Sequence, residues 1–457
     1  MEKNYDTIDN TMNTFWHRNR IILKTALIGI LMLLLLIPTL FIQGLINERK
    51  DRQREAVSEI SSKWAGPQTI TGPVIGIPYT EMVTEQNNTH TVKKWAYFLP
   101  AKLDIRARIV PEKRYRGIYQ VIVYTTELQI RGSYDNLHLE ELHLSSGDML
   151  WNEAAMFFDI KDVQGLKEDM TLHFAGMDLD MVPARFATEQ FKTALSAALP
   201  ASVRASLTGS LPGSTAPAGP AAAHGPMEFS AMVKLKGSGN LQFIPVGKDT
   251  RVRTESSWAD PSFTGSYLPD LRSVKDSGFT ADWKVLYLNR KYPQQWKDGS
   301  FDLDASAFGV NLIIPVDSYQ QTTRSVKYAI LIILLTFTAF LLIEWIYTRT
   351  IHSLQYVLVG FALCLFYTLL LSFSEYIGFN PAYGVAAAAT IALIAWYVKS
   401  ILQSGKMAGF VGGLLVVQYG FIFILIQMQD YALLLGSVGL FMTLAVVMYF
   451  SRKIKWH

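Results

Sequence analysis

The residue types that most often carry chemistry are thinly spread in this 457-residue chain. His138 and His143 stand five apart, whereas two ligands on one helical face want a spacing of three or four, so solvent-exposed histidines are expected in place of a metal site. Two acid pairs, Asp159 with Asp162 and Asp302 with Asp304, have the composition of a general acid–base couple. Their spacing is equally that of ordinary strand and turn surfaces. No P-loop, nucleophile elbow, HExxH helix or glycine-rich dinucleotide fingerprint occurs. Cys364, the one cysteine, lies in an apolar run; a disulfide scaffold and a cysteine zinc site are excluded, and a buried packing role is expected. The expectation is therefore a chain with no catalytic, cofactor-binding or metal-binding residues, no cofactor and no enzymatic activity.

Two clusters suit binding better than catalysis. Trp258, Asp260, Phe263 and Tyr267 place aromatic rings beside Gly and Pro, as binding loops on rigid scaffolds often do. Core packing of those rings is the competing reading. Lys113, Arg114 and Arg116 with Tyr119 form a basic–aromatic patch suited to an acidic lipid headgroup or wall polymer, against the plainer reading of a solvated turn before a strand. Three acids, Glu344, Glu375 and Asp430, fall at the ends of apolar runs. Ionisable residues in membrane segments are functional by default, yet an end position costs little, and an ion pathway would want a carboxylate at mid-depth. Glu344 adjoins Trp345, and Asn380 and Tyr383 follow Glu375.

The elements that must hold these residues are of two kinds. Residues 329–450 contain only six charged side chains, whereas the first 328 contain 71, an ordinary soluble share. The chain is neither purely soluble nor purely embedded. Residues 25–46 carry no charge and, at about 1.5 Å per residue, are long enough to cross a core of about 30 Å. The run is too long for the apolar part of a signal peptide and is read as an uncleaved anchor, which Pro38 can kink. Five more spans are expected at residues 328–345, 354–373, 383–398, 408–427 and 431–450. Ten Lys and Arg residues lie in the N-terminal segment, two alternate loops and the tail, and the short loops opposite have none. Both termini (residues 1–24 and 451–457) are thus expected in the cytoplasm, with residues 47–327 exported. Gly409 with Gly413, and Gly384 with Ala388, have the small-xxx-small spacing of close helix contacts; packing within one bundle is expected first and a helix-mediated oligomer second.

The exported part begins as a helical stalk in which Val57, Ile60 and Trp64 share a face. After Gly66-Pro67 it becomes mostly antiparallel β. Residues 118–130 and 229–236 alternate as strands, and Gly237 to Asn240 reads as a hairpin turn leading into a partner strand at 241–246. A helix is expected over residues 186–199. Residues 206–226 hold four Gly, four Pro and five Ala and no formal charge, the composition of a disordered loop or of a linker between two β subdomains. The formal net charge of +4 is spread out, so nucleic acid is not an expected partner.

The combination of motifs resembles the CreD family, bacterial inner-membrane proteins associated with cell-envelope integrity. It comprises Gly66-Pro67-Gln68, Gly72-Pro73 and Ile77-Pro78, then Trp258, Asp260, Pro261, Phe263, Gly265, Leu268-Pro269, Gly278-Phe279 and Trp283. In the apolar part it comprises Phe337, Phe340, Glu344, Gln355, Gly360, Ser374-Glu375, Gly378-Phe379, Gly436 and Trp456. Residues 135–226 match least. The resemblance implies a bacterial inner-membrane location, a periplasmic domain and membership of a stress-responsive regulon tied to an envelope sensor kinase; it supplies no reaction and no site residues. The expected function is a non-enzymatic envelope protein whose periplasmic domain binds a protein, lipid or cell-wall component and whose helices anchor it in the bilayer. A transporter or lipid-handling protein built on the C-terminal helices is the alternative.

Overall fold

The structure is a computed structural model and describes residues 24–85, 88–183, 185–186, 188–208, 226–314, 318–347, 351–428 and 431–451. The chain divides into two compact units, Met1–Arg54 with Val316–His457, and Glu55–Pro315. Helix α1 (Lys24–Trp64) begins in the first and ends in the second.

The Glu55–Pro315 unit is a two-sheet domain. Its strands in chain order are β1 (Gln68–Glu85), β2 (Asn88–Phe98), β3 (Lys102–Arg116), β4 (Tyr119–Tyr134), β5 (Ala155–Ile160), β6 (Thr171–Phe174), β7 (Met177–Asp180), β8 (Val182–Pro183) and β9 (Leu195–Ala198). After the short helix α2 (Ala201–Thr208) come β10 (Met227–Ser238), β11 (Asn240–Phe243), β12 (Asp249–Ser256), β13 (Pro261–Gly265), β14 (Leu271–Lys275), β15 (Gly278–Leu286), β16 (Gln295–Lys297) and β17 (Phe308–Leu312). One sheet runs β13-β17-β11-β1-β5-β9-β8, with β2 between β1 and β16; the other runs β14-β15-β12-β3-β4-β10-β6-β7. Pairing is antiparallel except at β1–β11 and β3–β12, so both sheets are mixed. Along β3, Leu103, Ile105, Ala107 and Ile109 turn inward while Asp104, Arg106 and Arg108 face out, the period-two pattern of a half-wet strand. These side chains join Ile75 and Phe157 of the other sheet in one apolar core. Two hydroxyls also bridge the sheets: Tyr134 donates to the Pro73 carbonyl at 2.8 Å and Tyr124 to that of Asn240 at 2.6 Å.

Gly72 and Pro73 mark an irregularity in β1, where its register against β5 shifts between Thr71 and Val74. Gly72 has φ +122°, and a Cβ there would lie 3.0 Å from the Phe157 carbonyl oxygen, so the position needs glycine.

Two local expectations are corrected, and the tract at 206–226 is placed relative to the sheets. Gly237 to Asn240 does not close a hairpin: β10 pairs with β4 and β6, while β11 crosses to the other sheet between β1 and β17. Gly239, at φ +72°, supplies the turn, but both strands find longer partners elsewhere. The described residues of the 186–199 segment form no helix despite its Ala, Leu and Gln content. The Thr188 side chain accepts from the Phe191 amide at 2.9 Å, and Leu195–Ala198 adds to β5 as β9. Burial of Phe191, Ala194, Leu195 and Ala197 outweighs propensity here. Residues 206–208 belong to α2, residues 209–225 lie outside the described residues, and Met227 already pairs with Tyr134. Strands from both sides of that segment occur in both sheets, so the two halves are not separate subdomains.

The other unit is helical: α1, α3 (Ser318–Lys327), α4 (Ala329–Tyr347), α5 (Ser353–Ile377), α6 (Phe379–Leu402), α7 (Gly405–Gln427) and α8 (Ala432–Ser451). Among the described residues, four helices, α1, α5, α6 and α7, are long and apolar enough to cross a membrane. The α3–α4 pair, bent by 40°, makes a fifth if it counts as one span, and the apolar stretch of α8, Leu433–Val446, is shorter. Helix α1 continues through Pro38, its irregularity falling at Leu35. Packing of α1 relies on small residues that the spacing argument did not pick. A Cβ on Gly360 would lie 2.2 Å from the Leu35 side chain, and one turn along α5 the Cys364 thiol faces the Leu35 carbonyl at 3.9 Å. By contrast, a Cβ on Gly384, Gly409 or Gly413 would meet nothing within 4 Å among the described residues, and Ala388 is exposed. Those pairs do not pack this bundle.

Candidate functional site

The two clusters of the domain are brought together. The strand β12 runs parallel to β3, with Ser256 opposite Ile109, which carries Trp258 toward the basic end of β3. Lys113 Nζ lies 5.6 Å from the Trp258 ring centroid, a cation–π contact. Trp258 is half-buried, and its Nε1 donates to the Asp260 and Ile313 carbonyls, both at 3.1 Å. Phe263 sits edge-on to Phe279 and Trp283, and Tyr267 edge-on to Phe308 with its hydroxyl donating to the Asn289 carbonyl at 2.9 Å. These three aromatic side chains are partly buried and pack against the domain core, and only Asp260 of the four is fully at the surface.

The basic patch is exposed and also makes contacts within the unit. Arg114 pairs with Glu112 at 3.0 Å and lies over the Trp64 ring at 5.0 Å, with Lys236 over the same ring at 4.7 Å. Arg116 pairs with Glu59 at 2.7 Å, and Trp64 Nε1 donates to the Tyr124 carbonyl at 3.3 Å. The patch thus fastens the last turns of α1 to the eight-stranded sheet. Immediately after α1, Gln68 is wholly buried: its side-chain amide donates to the Asp162 and Lys236 carbonyls, both at 2.9 Å, and accepts from the Asp162 amide at 3.2 Å. Asp162 in turn accepts from the Gly66 amide at 2.7 Å. Half of the first acid pair is therefore a structural latch.

The other acids separate by role. Asp302 accepts from the Ala305 amide, and Asp304 pairs with Lys161 at 3.3 Å. Burial, and after it the Asp304 carboxylate, push Asp159 above the usual carboxylate range, while Lys161 pulls it back. His138 and His143 are both exposed. Among the described residues, no group of three or more His, Cys, Asp or Glu gathers as metal ligands do.

In the helical unit, Glu344 pairs with Lys24 and accepts from the Tyr356 hydroxyl at 3.3 Å. Glu375 lies 3.7 Å from Arg49 and accepts from the Tyr319 hydroxyl at 3.0 Å. Each glutamate therefore answers a basic residue of α1, and the two basic residues are 25 positions apart, about 38 Å along a helix. Asn380 accepts from Gln427 and the Tyr383 hydroxyl donates to the Tyr419 carbonyl at 2.8 Å, so neither joins Glu375 in one site. Asp430 lies outside the described residues.

Sequence reading missed three features. The first is a polar interior in the helical unit: α3 buries Tyr319, Thr322 and Ser325, and Thr336 donates to Gln418 at 3.2 Å. Tyr367 and Tyr419 are fully buried nearby, both touching Phe366. Uncharged Tyr, Thr, Ser and Gln scattered through apolar runs give no charge signal. The second is an open edge: β14 ends the eight-stranded sheet, all five of its residues are exposed, and Leu271 and neighbouring Leu268 are 70% and 69% accessible. The third is a cleft of about 830 Å³ lined by α4, α7 and α8.

A folded two-sheet domain inserted between one apolar helix and a set of apolar helices defines a membrane protein with a large extramembrane β domain. The chain belongs to the CreD family: the family model described as Inner membrane protein CreD matches residues 20–457. Inner membrane protein CreD of Escherichia coli strain K12 is 30% identical over 439 residues, covering 95% of this chain and 93% of that protein. The chain is accordingly an inner-membrane protein.

Proposed function

We propose that the protein is a non-enzymatic contributor to cell-envelope integrity or an envelope stress response, with the two-sheet domain in the periplasm and acting as a binding module. Six segments cross the membrane in this reading, and both termini are cytoplasmic. The orientation is supported by the basic residues that flank alternate spans and by their absence from the opposite short loops. The observation that carries the binding role is β14. It is an edge strand exposed on both faces, bearing Leu271 and Val274, and among the described residues nothing pairs with its outer side. Such an edge is a template for an extended segment of another envelope protein.

Photo-crosslinking from position 273 in the full-length protein, in intact cells, tests this. The expected result is one dominant envelope protein that is lost when Leu271 and Val274 are both replaced by Glu. No capture, under conditions where a known membrane complex is recovered, would turn the reading toward a lipid or cell-wall component. Orientation is read separately, by labelling a cysteine at position 273 from outside spheroplasts in a Cys364→Ala background. Transport or lipid handling is the second reading, favoured by the buried polar side chains of α3, α4 and α7. Uptake into proteoliposomes that falls with Gln418→Leu would establish it.

A further inference from the structure

The cleft between α4, α7 and α8 has the size of a ligand site, near the top of the roughly 300–1,000 Å³ range of small-molecule pockets. Its walls are Leu, Ile, Val, Met and Phe side chains with few polar groups between them. One of those groups is fully engaged, the Thr338 hydroxyl donating to the Leu334 carbonyl at 2.8 Å; Gln418 accepts from Thr336 through Oε1, while its buried Nε2 has no partner among the described residues. Along α4 the lining runs from Leu331 to Ile343, about 18 Å and more than half of a hydrocarbon core of about 30 Å. Helix α8 stands off from the rest. It meets α7 where Gly439 abuts the Phe421 ring, while Phe441, Leu444 and Met448 remain exposed.

Water finds few hydrogen-bond partners in such a space, and leaving it empty forfeits dispersion contacts along every wall. An acyl chain restores those contacts. One end of the cleft carries the polarity that selects a headgroup. Lys406 is the sole charged lining residue and forms no ion pair among the described residues. It lies in the first turn of α7, beside Ser404, whose hydroxyl accepts from the Met407 amide at 3.5 Å. A lysine at the positive end of a 23-residue helix suits a phosphate. We propose that this cleft is a specific site for an anionic phospholipid, its chain lying between α4, α7 and α8 and its phosphate at Lys406 and the start of α7. The site requires an inner-membrane protein but is independent of what the two-sheet domain binds.

Native mass spectrometry of the detergent-purified full-length protein, incubated with phosphatidylglycerol or phosphatidylethanolamine, tests the site. Retention of one phosphatidylglycerol per chain is expected, in preference to phosphatidylethanolamine. Lys406→Gln should reduce that preference about fivefold and leave phosphatidylethanolamine unchanged. Ala339→Trp, which fills the cleft from α4, should lower retention of both lipids; Val438→Trp fills it from α8 should the first variant fail to fold. Inorganic phosphate should not displace the lipid. Equal retention of the two lipids by the parent, no effect of Lys406→Gln, no effect of either Trp variant that folds, or displacement by inorganic phosphate would each overturn the proposal.

Discussion

Trp258 shows how a single side chain decides between a binding loop and a brace. Its ring is covered on one side by the domain core, its Nε1 serves two carbonyls, and Lys113 lies over it. Trp258→Ala should therefore destabilise the full-length protein by about 2–3 kcal/mol, somewhat below the ~3–5 kcal/mol of a fully buried tryptophan, as read by denaturant unfolding in detergent. Loss of partner crosslinking from position 273 without loss of stability would restore the binding role. Asp159 gives a pH test. Its folded-state pKa is raised, so folding is favoured while it is protonated, and that contribution is lost as pH rises through the folded pKa. Asp159→Asn removes the cost of holding a carboxylate there. The variant should match the parent in acid, below the ordinary carboxylate range, and melt higher at neutral pH; a lower melting temperature at pH 7 would mean the carboxylate is held by an attraction stronger than its burial. The sequence showed which residues these were but not their duties. Asp162 and Gln68 look like ordinary surface polar residues, and only the approach of β1, β10 and the 162–166 turn makes them a latch.

At the scale of elements, hydrophobic periodicity was a good guide wherever one face alone is buried. The strands β4 and β10 and the apolar helices were legible for that reason, because period two and long apolar runs report burial directly; β3, whose basic end reads as a solvated turn, was not. It failed where tertiary pairing chose among local options. Residues 186–199 carry helix-forming side chains but give β9, and β11 leaves β10 for the other sheet. Helix contacts show the same limit. Spacing alone could not say which small residues face a neighbour, and the close approach is at Gly360. Gly360→Leu should push α1 away from α5, because the new side chain must occupy the place of Leu35. The expected loss is at least about 1–3 kcal/mol, the usual cost of overpacking, seen as a lower melting temperature in detergent. Gly409→Leu, on an open face, should change it by less than about 0.5 kcal/mol. Equal losses at the two glycines would show that the α1–α5 approach is not a tight contact.

The whole molecule is organised by interruption. The two-sheet domain separates α1 from the other helices in sequence, and residues 209–225 separate the two halves of the domain. Composition marked both places, as a change in charge density and as an Ala/Pro/Gly tract, but it could not say whether the tract joins two domains or loops out of one. Register settles the difference. Strand β10 follows β4 from Met227 opposite Tyr134 to Ser238 opposite Val123, and β12 follows β3 from Asp249 opposite Lys102 to Ser256 opposite Ile109. In the other sheet, β11 is hydrogen-bonded to β1. Each of these ladders joins a strand from before the tract to one from after it, and both sheets contribute to a common apolar core. A protease site placed at position 216 should therefore be cut without separating the halves. The two fragments should co-elute in detergent and part only when the sheets unfold, since their association rests on buried backbone hydrogen bonds and apolar area rather than on the cut peptide. Separation under native conditions would mean that the ladders between β10 and β4 and between β12 and β3 do not form in solution.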